Sequence, residues 1–417
     1  MPALPPDLQV RRGRDADLPE MARLHHASFP GFPMTLEERI SYLRSDPRLA
    51  LEDHWVCERK GRLVGLFALY KFRMQRGRIG VPAGGIGMVA VAPEARRQKI
   101  AYWMMLKSVQ IMEQNDMPVS ILYPFSHGFY HKLGWGSVGR TTLYRFPPGA
   151  LPNFPERTCV EPVSTYEGQG AVMECYDRFA EGSNGLLMRD EPIWFERVFK
   201  NNQCYAYRSP KGVIEGYVTF CYQPLPPDIH ITAADVQVRD LVFLTDEALR
   251  GLLGFLAAQG DQARAVILPD QIGLQLEHCL ADPKMEGGRH TWALGAETAW
   301  VGSALMGRIV NLRRALAVGR LAGGSGRVTF ELRDELNPVN MEPLTVEFDG
   351  GKPDFPKAGP TGIIFRSDIA VFASLYWGAL KFAEARRFGL VETEGAGDLT
   401  IFNRLFALPK PLCYDYF

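Results

Sequence analysis

The sequence predicts a mixed α/β (α+β) protein built from three sections in series. Three observations predict it. Helix-period and strand-period segments alternate through the first 299 residues. An antiparallel arm, a central strand and a following helix recur there in the same order. Past Trp300 the pattern changes: strand-period segments GRVTFELRDE and LTVEFDGGKPDF precede a long apolar helical pattern. The expected sections are 1–146, 147–299 and 300–417.

Each element has a local reason. The first arm, GRLVGLFALYKF (Gly61 to Phe72), leads into the strand GIGMVAVAP (Gly85 to Pro93). Val89 and Val91 alternate with Ala90, and Pro93 cannot donate to a ladder, so the strand ends there. Apolar residues then recur at Ala101, Met105, Val109 and Met112, one face of a helix. That places the first helical turn on Glu94 to Lys99. The glycines of GGIG, Gly84 to Gly87, lack the GxGxxG spacing and read as permitting a turn or bulge. FPPGALPNFPE, Phe146 to Glu156, holds four prolines and suits a linker. The second section offers KGVIEGYVTFCYQ, ADVQVRDLVFL and TDEALRGLLGFLAAQG as arm, strand and helix. Its Thr245 is a good N-cap, followed by Asp246 and Glu247. ADPKMEGGRH, Ala281 to His290, reads as a loop. In the third section the two strand segments suit a hairpin pair with a Gly-rich turn. Ser367 to Arg387 reads as one helix with Ser367 as its N-cap.

Composition narrows the function classes. Lys and Arg total 47 against 47 Asp and Glu, and the pI is about 7.1. No basic excess points to nucleic acid. No apolar run approaches a membrane span of about 20 residues, and the start lacks a signal-peptide core. The seven cysteines are scattered without CxxC pairs, as expected of reduced thiols in the cytoplasm, and no metal site is expected.

The seam VAVAPEARRQKIA, Val89 to Ala101, carries the chemistry. A helix start has unpaired N–H groups and the positive end of the dipole. Arg96, Arg97 and Lys99 add cations where acids are usual. Each costs about 0.3–1 kcal/mol if it merely stands in solvent. A bound polyanion reverses that sign; the bland reading is a solvated basic face partly offset by Glu94. The acidic seam at Thr245 suits a plain helix and repels phosphate.

The strand, V-x-V-x-P and R-R-x-x-x-A opening a helix together resemble the acetyl-coenzyme A motif of GNAT N-acetyltransferases. FYHKLGWGSVGR, Phe129 to Arg140, resembles the segment near the end of the GNAT core. With a degenerate second GNAT-like section and a third section similar to sterol carrier protein 2 (SCP2), the chain resembles the enhanced intracellular survival (Eis) family throughout.

The resemblance implies tandem GNAT folds, each a mixed sheet flanked by helices, then an SCP2-like α+β domain. It implies acetyl-CoA as co-substrate and acetylation of amines, aminoglycosides and lysine side chains among them, in a hexamer. The pantetheine would pair with the strand around Met88, Val89 and Val91. The pyrophosphate would rest on Arg96, Arg97, Lys99, Ile100 and Ala101. Tyr130 matches the general acid, and Phe417 the terminal residue whose carboxylate enters the site. Phe29, Phe32, Met34 and Tyr416 are candidates for the acceptor pocket.

Three positions depart from the pattern. Lys99 replaces a usual glycine and either crowds the phosphate or adds a cation. Gly31 and Tyr416 stand where aminoglycoside-acetylating relatives carry an aspartate and a glutamate, which makes a polycationic acceptor less secure than acetyl transfer itself. The histidines His127 and His131 flank Tyr130 and rank lower as proton relays.

Magnitudes favour these roles unequally. A tyrosine near 10 protonates a thiolate near 8.5 uphill by about 1.5 pKa units, or 2 kcal/mol. A carboxylate near 3.5 would deprotonate an ammonium near 10.4 uphill by roughly seven units. Phe417 therefore suits binding and orienting the ammonium more than direct abstraction. Two other readings stand beside the enzyme: a non-catalytic acyl-CoA-binding scaffold, and a lipid carrier led by the third section.

Overall fold

Thr35 shows how local chemistry sets the elements. Its hydroxyl accepts from the Glu38 amide, while Glu38 accepts from the Thr35 amide, a capping box that starts a helix at Leu36. The computed structural model describes residues 3–226, 233–291, 295–319, 325–350, 352–357, 362–395 and 397–417. Gly351, in the expected Gly-rich turn, lies outside them. The described chain forms two units. One comprises Met1–Gly139, Ala304–Pro411 and Asp415–Phe417; the other comprises Arg140–Ser303 and Leu412–Tyr414.

The first unit begins with β1 (Leu8–Arg12), α1 (Leu18–Ser28) and α2 (Leu36–Ser45). There follow β2 (His54–Arg59), β3 (Arg62–Arg76), β4 (Ile79–Val91) and α3 (Ile100–Gln114). Then come β5 (Val119–Leu122), α4 (His127–Lys132) and β6 (Gly136–Ser137). The strands β1 to β4 pair antiparallel in order, and β5 runs parallel to β4 through the α3 crossover. The strand Met306–Ile309, from beyond the second section, lies between β5 and β6 and is antiparallel to both. Ile100, Met104, Met105, Val109 and Met112 form the buried face of α3.

One register fact opens the site. The β4–β5 pairing ends at Ile86 opposite Leu122, and Gly87 to Val91 continue without β5 beside them. At Met88 φ is +52°, and the register against β3 shifts between Leu66 and Ala68, a β-bulge. The GGIG glycines lie inside the strand, not in a turn. Their lack of side chains leaves room for rings: a Cβ on Gly87 would stand 2.9 Å from Tyr70 Cε2 and 3.4 Å from the Phe417 carboxyl carbon.

The rest of the first unit is a five-stranded sheet with helices. Gly326–Arg333 lies central, antiparallel to Leu344–Asp349 and parallel to Ile363–Asp368. Ser367 lies within the strand Ile363–Asp368 instead of capping a helix; the N-cap is Asp368, and the helix Ile369–Tyr376 is wholly buried. The expected single helix breaks at Gly378, where φ is +72°, and resumes as Phe382–Arg387. Phenylalanine rings fill the interior: Phe330 lies 5.2 Å from Phe372, and Phe382 lies 4.5 Å from Phe402.

The second unit repeats the plan. The strand Ala234–Phe243 pairs antiparallel with Ile214–Pro224 and parallel with Ala263–Asp270, across the helix Asp246–Ala257. Thr245 caps that helix by accepting from the Ala248 amide. The proline-rich stretch is no linker: Phe146, Ala150 and Leu151 are buried in this unit's core against Leu252 and Leu256. Its prolines end a strand and shape short turns over apolar residues.

Candidate active site

The α3 start differs from the sequence expectation. Pro93–Ala95 form a 3-10 turn, Arg96 is extended, and the helix opens at Ile100, six residues later than expected. The cause is backbone conformation: Arg97 and Lys99 have φ of +60° and +61°, which a helix cannot hold. Lys99, the N-cap, provides no capping side chain, and the first turn contains no acid. Its left-handed φ explains why glycine suits this position. A turn with left-handed residues before a helix directs successive amides toward a concavity that suits an anion. The Arg96 guanidinium reaches the carbonyls of Ala27 (3.1 Å) and Val91 (3.4 Å), tying α1, β4 and the loop together.

A cavity of about 760 Å³ runs from this loop along the edge of β4 that β5 leaves open. Its wall includes Met88, Val89, Val91, Arg96, Arg97, Lys99, Ile100 and Ala101. Phe29, Tyr130, Tyr416 and Phe417 line it too. Phe32 and Met34 do not. Arg39, fully buried, draws the carbonyls of Phe29, Phe32 and Met34 around its guanidinium, so their loop wraps the arginine and leaves Phe32 46 % exposed. Gly31 also lies outside the lining, with open space where a Cβ would stand. His127 and His131 are exposed and off the wall.

Tyr130 sits on α4, whose N-cap Ser126 accepts from the Phe129 amide. It is 2 % exposed, flanked by Phe125, Phe129 and Trp135. Its hydroxyl has no hydrogen-bond partner among the described residues. Burial pushes its pKa well above the usual phenol value. The turn after α4 is fixed from below: Arg308 donates to the Leu133 carbonyl and pairs with Asp334, both at 2.5 Å in a fully buried setting.

Phe417 is 8 % exposed, its ring 4.9 Å from Phe72, 5.4 Å from Tyr70 and 5.4 Å from Tyr123. Two hydrogen bonds fix the residues before it. Arg48 donates to the Tyr416 carbonyl (2.9 Å), and the Tyr123 hydroxyl donates to the Asp415 carbonyl (3.0 Å). Arg48 is itself held by a buried bidentate pair with Asp46 and lies 5.0 Å over the Tyr70 ring. The carboxyl group thus abuts Gly87, where β4 parts from β5.

Sequence reasoning missed Arg39, Arg48, Tyr123 and Arg308. No local motif marks them, since each acts on a partner distant in the chain or on a loop's carbonyls. Among the described residues no cluster of three or more His, Cys, Asp or Glu could hold a metal, and no helix is long and apolar enough to cross a membrane.

Comparison with known proteins agrees with this architecture. Acetyltransferase (GNAT) domain families match residues 9–138 and 185–309, and a sterol carrier protein domain matches 311–414. The chain is 25% identical to the N-acetyltransferase Eis of Mycobacterium tuberculosis (strain CDC 1551 / Oshkosh), over 95% of this chain and 96% of that one. The Eis of Mycobacterium bovis (strain BCG / Pasteur 1173P2) matches equally, at 25% identity with the same coverage. A GCN5-related N-acetyltransferase from Anabaena variabilis has the same fold, with a TM-score of 0.82 at 22% identity, over 98% of this chain and 100% of that one. Eis1 from Mycobacterium abscessus superposes with a TM-score of 0.73 at 20% identity, over 98% and 100%. Two GNAT domains and a sterol-carrier-type third domain make this chain a GNAT-type N-acetyltransferase, similar over nearly its full length to Eis proteins.

Proposed function

We propose that the first section moves an acetyl group from acetyl-CoA directly to a primary amine. One observation carries the reading. One cavity joins an uncapped, cation-rich helix start, the edge of β4 that β5 leaves open, a buried phenol and the terminal residue Phe417.

The residues fit the co-substrate. Arg96, Arg97 and Lys99, with the amides of Ile100 and Ala101, hold the pyrophosphate. The backbone of Met88, Val89 and Val91 pairs with the pantetheine amides where β5 no longer competes. The thioester's polarised carbonyl is what the amine attacks. A C–N bond forms and the C–S bond breaks; Tyr130 gives its proton to the departing sulfur and regains one from solvent as the amine loses its own. Burial makes Tyr130 a weaker acid, but a thiolate in the same cavity is destabilised by the same lack of water. The Phe417 carboxylate binds and orients the ammonium, which sheds its proton to water before attack.

Two further points belong to the same reading. The resemblance to Eis proteins supports a homo-oligomer, hexameric in that family, which light scattering reads directly. The need for acetyl-CoA supports a cytoplasmic location. The lipid-carrier alternative is weakened by the phenylalanine rings that fill the third section's interior.

The test is calorimetric titration with acetyl-CoA beside a thiol-release assay over aminoglycosides, polyamines, lysine peptides and arylalkylamines. Binding with turnover of an amine is expected. Binding without turnover on any amine would favour the scaffold.

A further inference from the structure

Tyr130 stands on an element too short to hold itself. The helix α4 has six residues, and an isolated helix of that length does not persist in water. The chain turns back after Lys132, and that turn does the holding. The Leu133 and Trp135 amides both donate to the Tyr130 carbonyl, at 3.0 and 3.1 Å. The buried Trp135 ring stands 6.1 Å from the Tyr130 ring, and its indole N–H donates to the Ser120 hydroxyl. Residues 133–135 thus fix both the backbone and the ring of Tyr130.

One guanidinium holds that turn. Arg308, on the strand Met306–Ile309, donates to the Leu133 carbonyl and lies 5.2 Å over the Trp135 ring. Gly134 makes room for it. Its φ is +90°, and a Cβ there would stand 1.7 Å from Arg308 Nη1. Asp334 supplies the countercharge and is itself fixed. One of its oxygens also accepts from the Leu336 and Asn337 amides, at 3.1 Å each, and the other from the Asn340 side chain, at 2.8 Å. Asn340 in turn accepts from the Leu312 amide and donates to the Val310 carbonyl.

Neither Arg308 nor Asp334 lines the cavity, and both are buried. A buried ion pair is a poor source of stability, because desolvation offsets the attraction. Fixing a single geometry is a use such a pair does serve, and the geometry within reach is that of Tyr130.

We propose that Arg308, held by Asp334, is a positioning residue for the Tyr130 phenol, an inference that rests on the acetyltransferase reading above. Tyr130 gives the proton to the departing sulfur. Arg308 keeps the turn 133–135, and with it the hydroxyl, in line with that sulfur. Through Asp334 the sterol-carrier-type section takes part in acetyl transfer without touching either substrate. A misplacement of about 1 Å costs on the order of 100-fold in rate.

A double-mutant cycle in the full-length protein tests this, with kcat from thiol release and acetyl-CoA affinity from calorimetry. The proteins are the wild type, Arg308→Lys, Tyr130→Phe and the double variant. Lysine keeps the charge for Asp334 but lacks the planar fork that also reaches Leu133. Arg308→Lys should lower kcat about tenfold or more, with the acetyl-CoA dissociation constant within about twofold of the wild type's. In the Tyr130→Phe background the same change should cost less than about twofold, because no acid is left to position. Equal losses in both backgrounds would overturn the proposal, as would an unchanged kcat in Arg308→Lys. Asp334→Asn, of the same shape, should give the same nested pattern. Failure of both Arg308→Lys and Asp334→Asn to fold would make the pair a stability element and overturn the proposal too. An undiminished kcat in Tyr130→Phe alone would overturn the general-acid reading itself, and the proposal with it.

Discussion

At the scale of single residues, Tyr130 and His25 make opposite use of burial. Burial raises the Tyr130 pKa, so at physiological pH it rests as the neutral phenol with a proton to give. Tyr130→Phe keeps the ring packing and removes only the hydroxyl. It should lower kcat by roughly 100-fold or more, the range for a general acid, with little change in acetyl-CoA affinity. Steady-state kinetics beside calorimetry measure both, and unchanged kcat would remove Tyr130 from the mechanism. His25 lies against Arg39, 2.5 Å from its guanidinium; burial first, and then that charge, holds the imidazole down at about 4. In the unfolded chain it titrates near 6.5. Between those values the unfolded state binds more protons, so stability is full above pH 6.5 and falls as pH drops toward 4. Melting temperatures from pH 7.5 down to 4.5 should fall less steeply in His25→Gln than in the wild type; parallel curves would contradict this. The motif around Tyr130 was legible because its residues are consecutive. Arg39 and Arg48 were not, because an arginine that gathers carbonyls looks in sequence like any surface cation.

At the scale of elements, the α3 start and the chain end decide what the cavity offers. Periodicity located α3 but misplaced its first turn, because left-handed φ at Arg97 and Lys99 leaves no trace in the apolar pattern. The consequence is favourable for anions: the three cations lie on a loop before the helix, with Arg96 held by the carbonyls of Ala27 and Val91. Gly378 broke the expected long helix for a similar reason, a single positive φ inside an apolar run. The tail ends in PLCYDYF, which is largely aromatic and apolar. It is held by Arg48, Tyr123 and the rings of Tyr70 and Phe72. Appending three residues after Phe417 would carry the carboxylate roughly 10 Å away. Acceptor kcat/KM should fall at least tenfold while acetyl-CoA binding persists, as a thiol-release assay would show. Full activity in the extended protein would mean the carboxylate does nothing.

At the scale of the whole molecule, sequential sections do not correspond to independent units. The strand-and-helix order was legible because it repeats, and the same parallel pair with its crossover helix occurs in both GNAT-type sheets. The strand Met306–Ile309 was not legible, because four residues pair with elements almost 200 positions earlier. Its position between β5 and β6 means the first section alone has an incomplete sheet. A fragment of residues 1–146 should therefore fail to give a dispersed NMR spectrum, whereas a folded, acetyl-CoA-binding fragment would contradict the dependence. The central claim is narrower: the loop before α3 grips a diphosphate. It is tested most directly by calorimetric titration of the Arg96→Ala/Arg97→Ala double variant with acetyl-CoA. The account predicts a dissociation constant raised about 100-fold or more, the loss of two charge-assisted contacts, with part of that rise already present in Arg97→Ala, which leaves the Arg96 ties to Ala27 and Val91 in place. An affinity equal to the wild type's would contradict it.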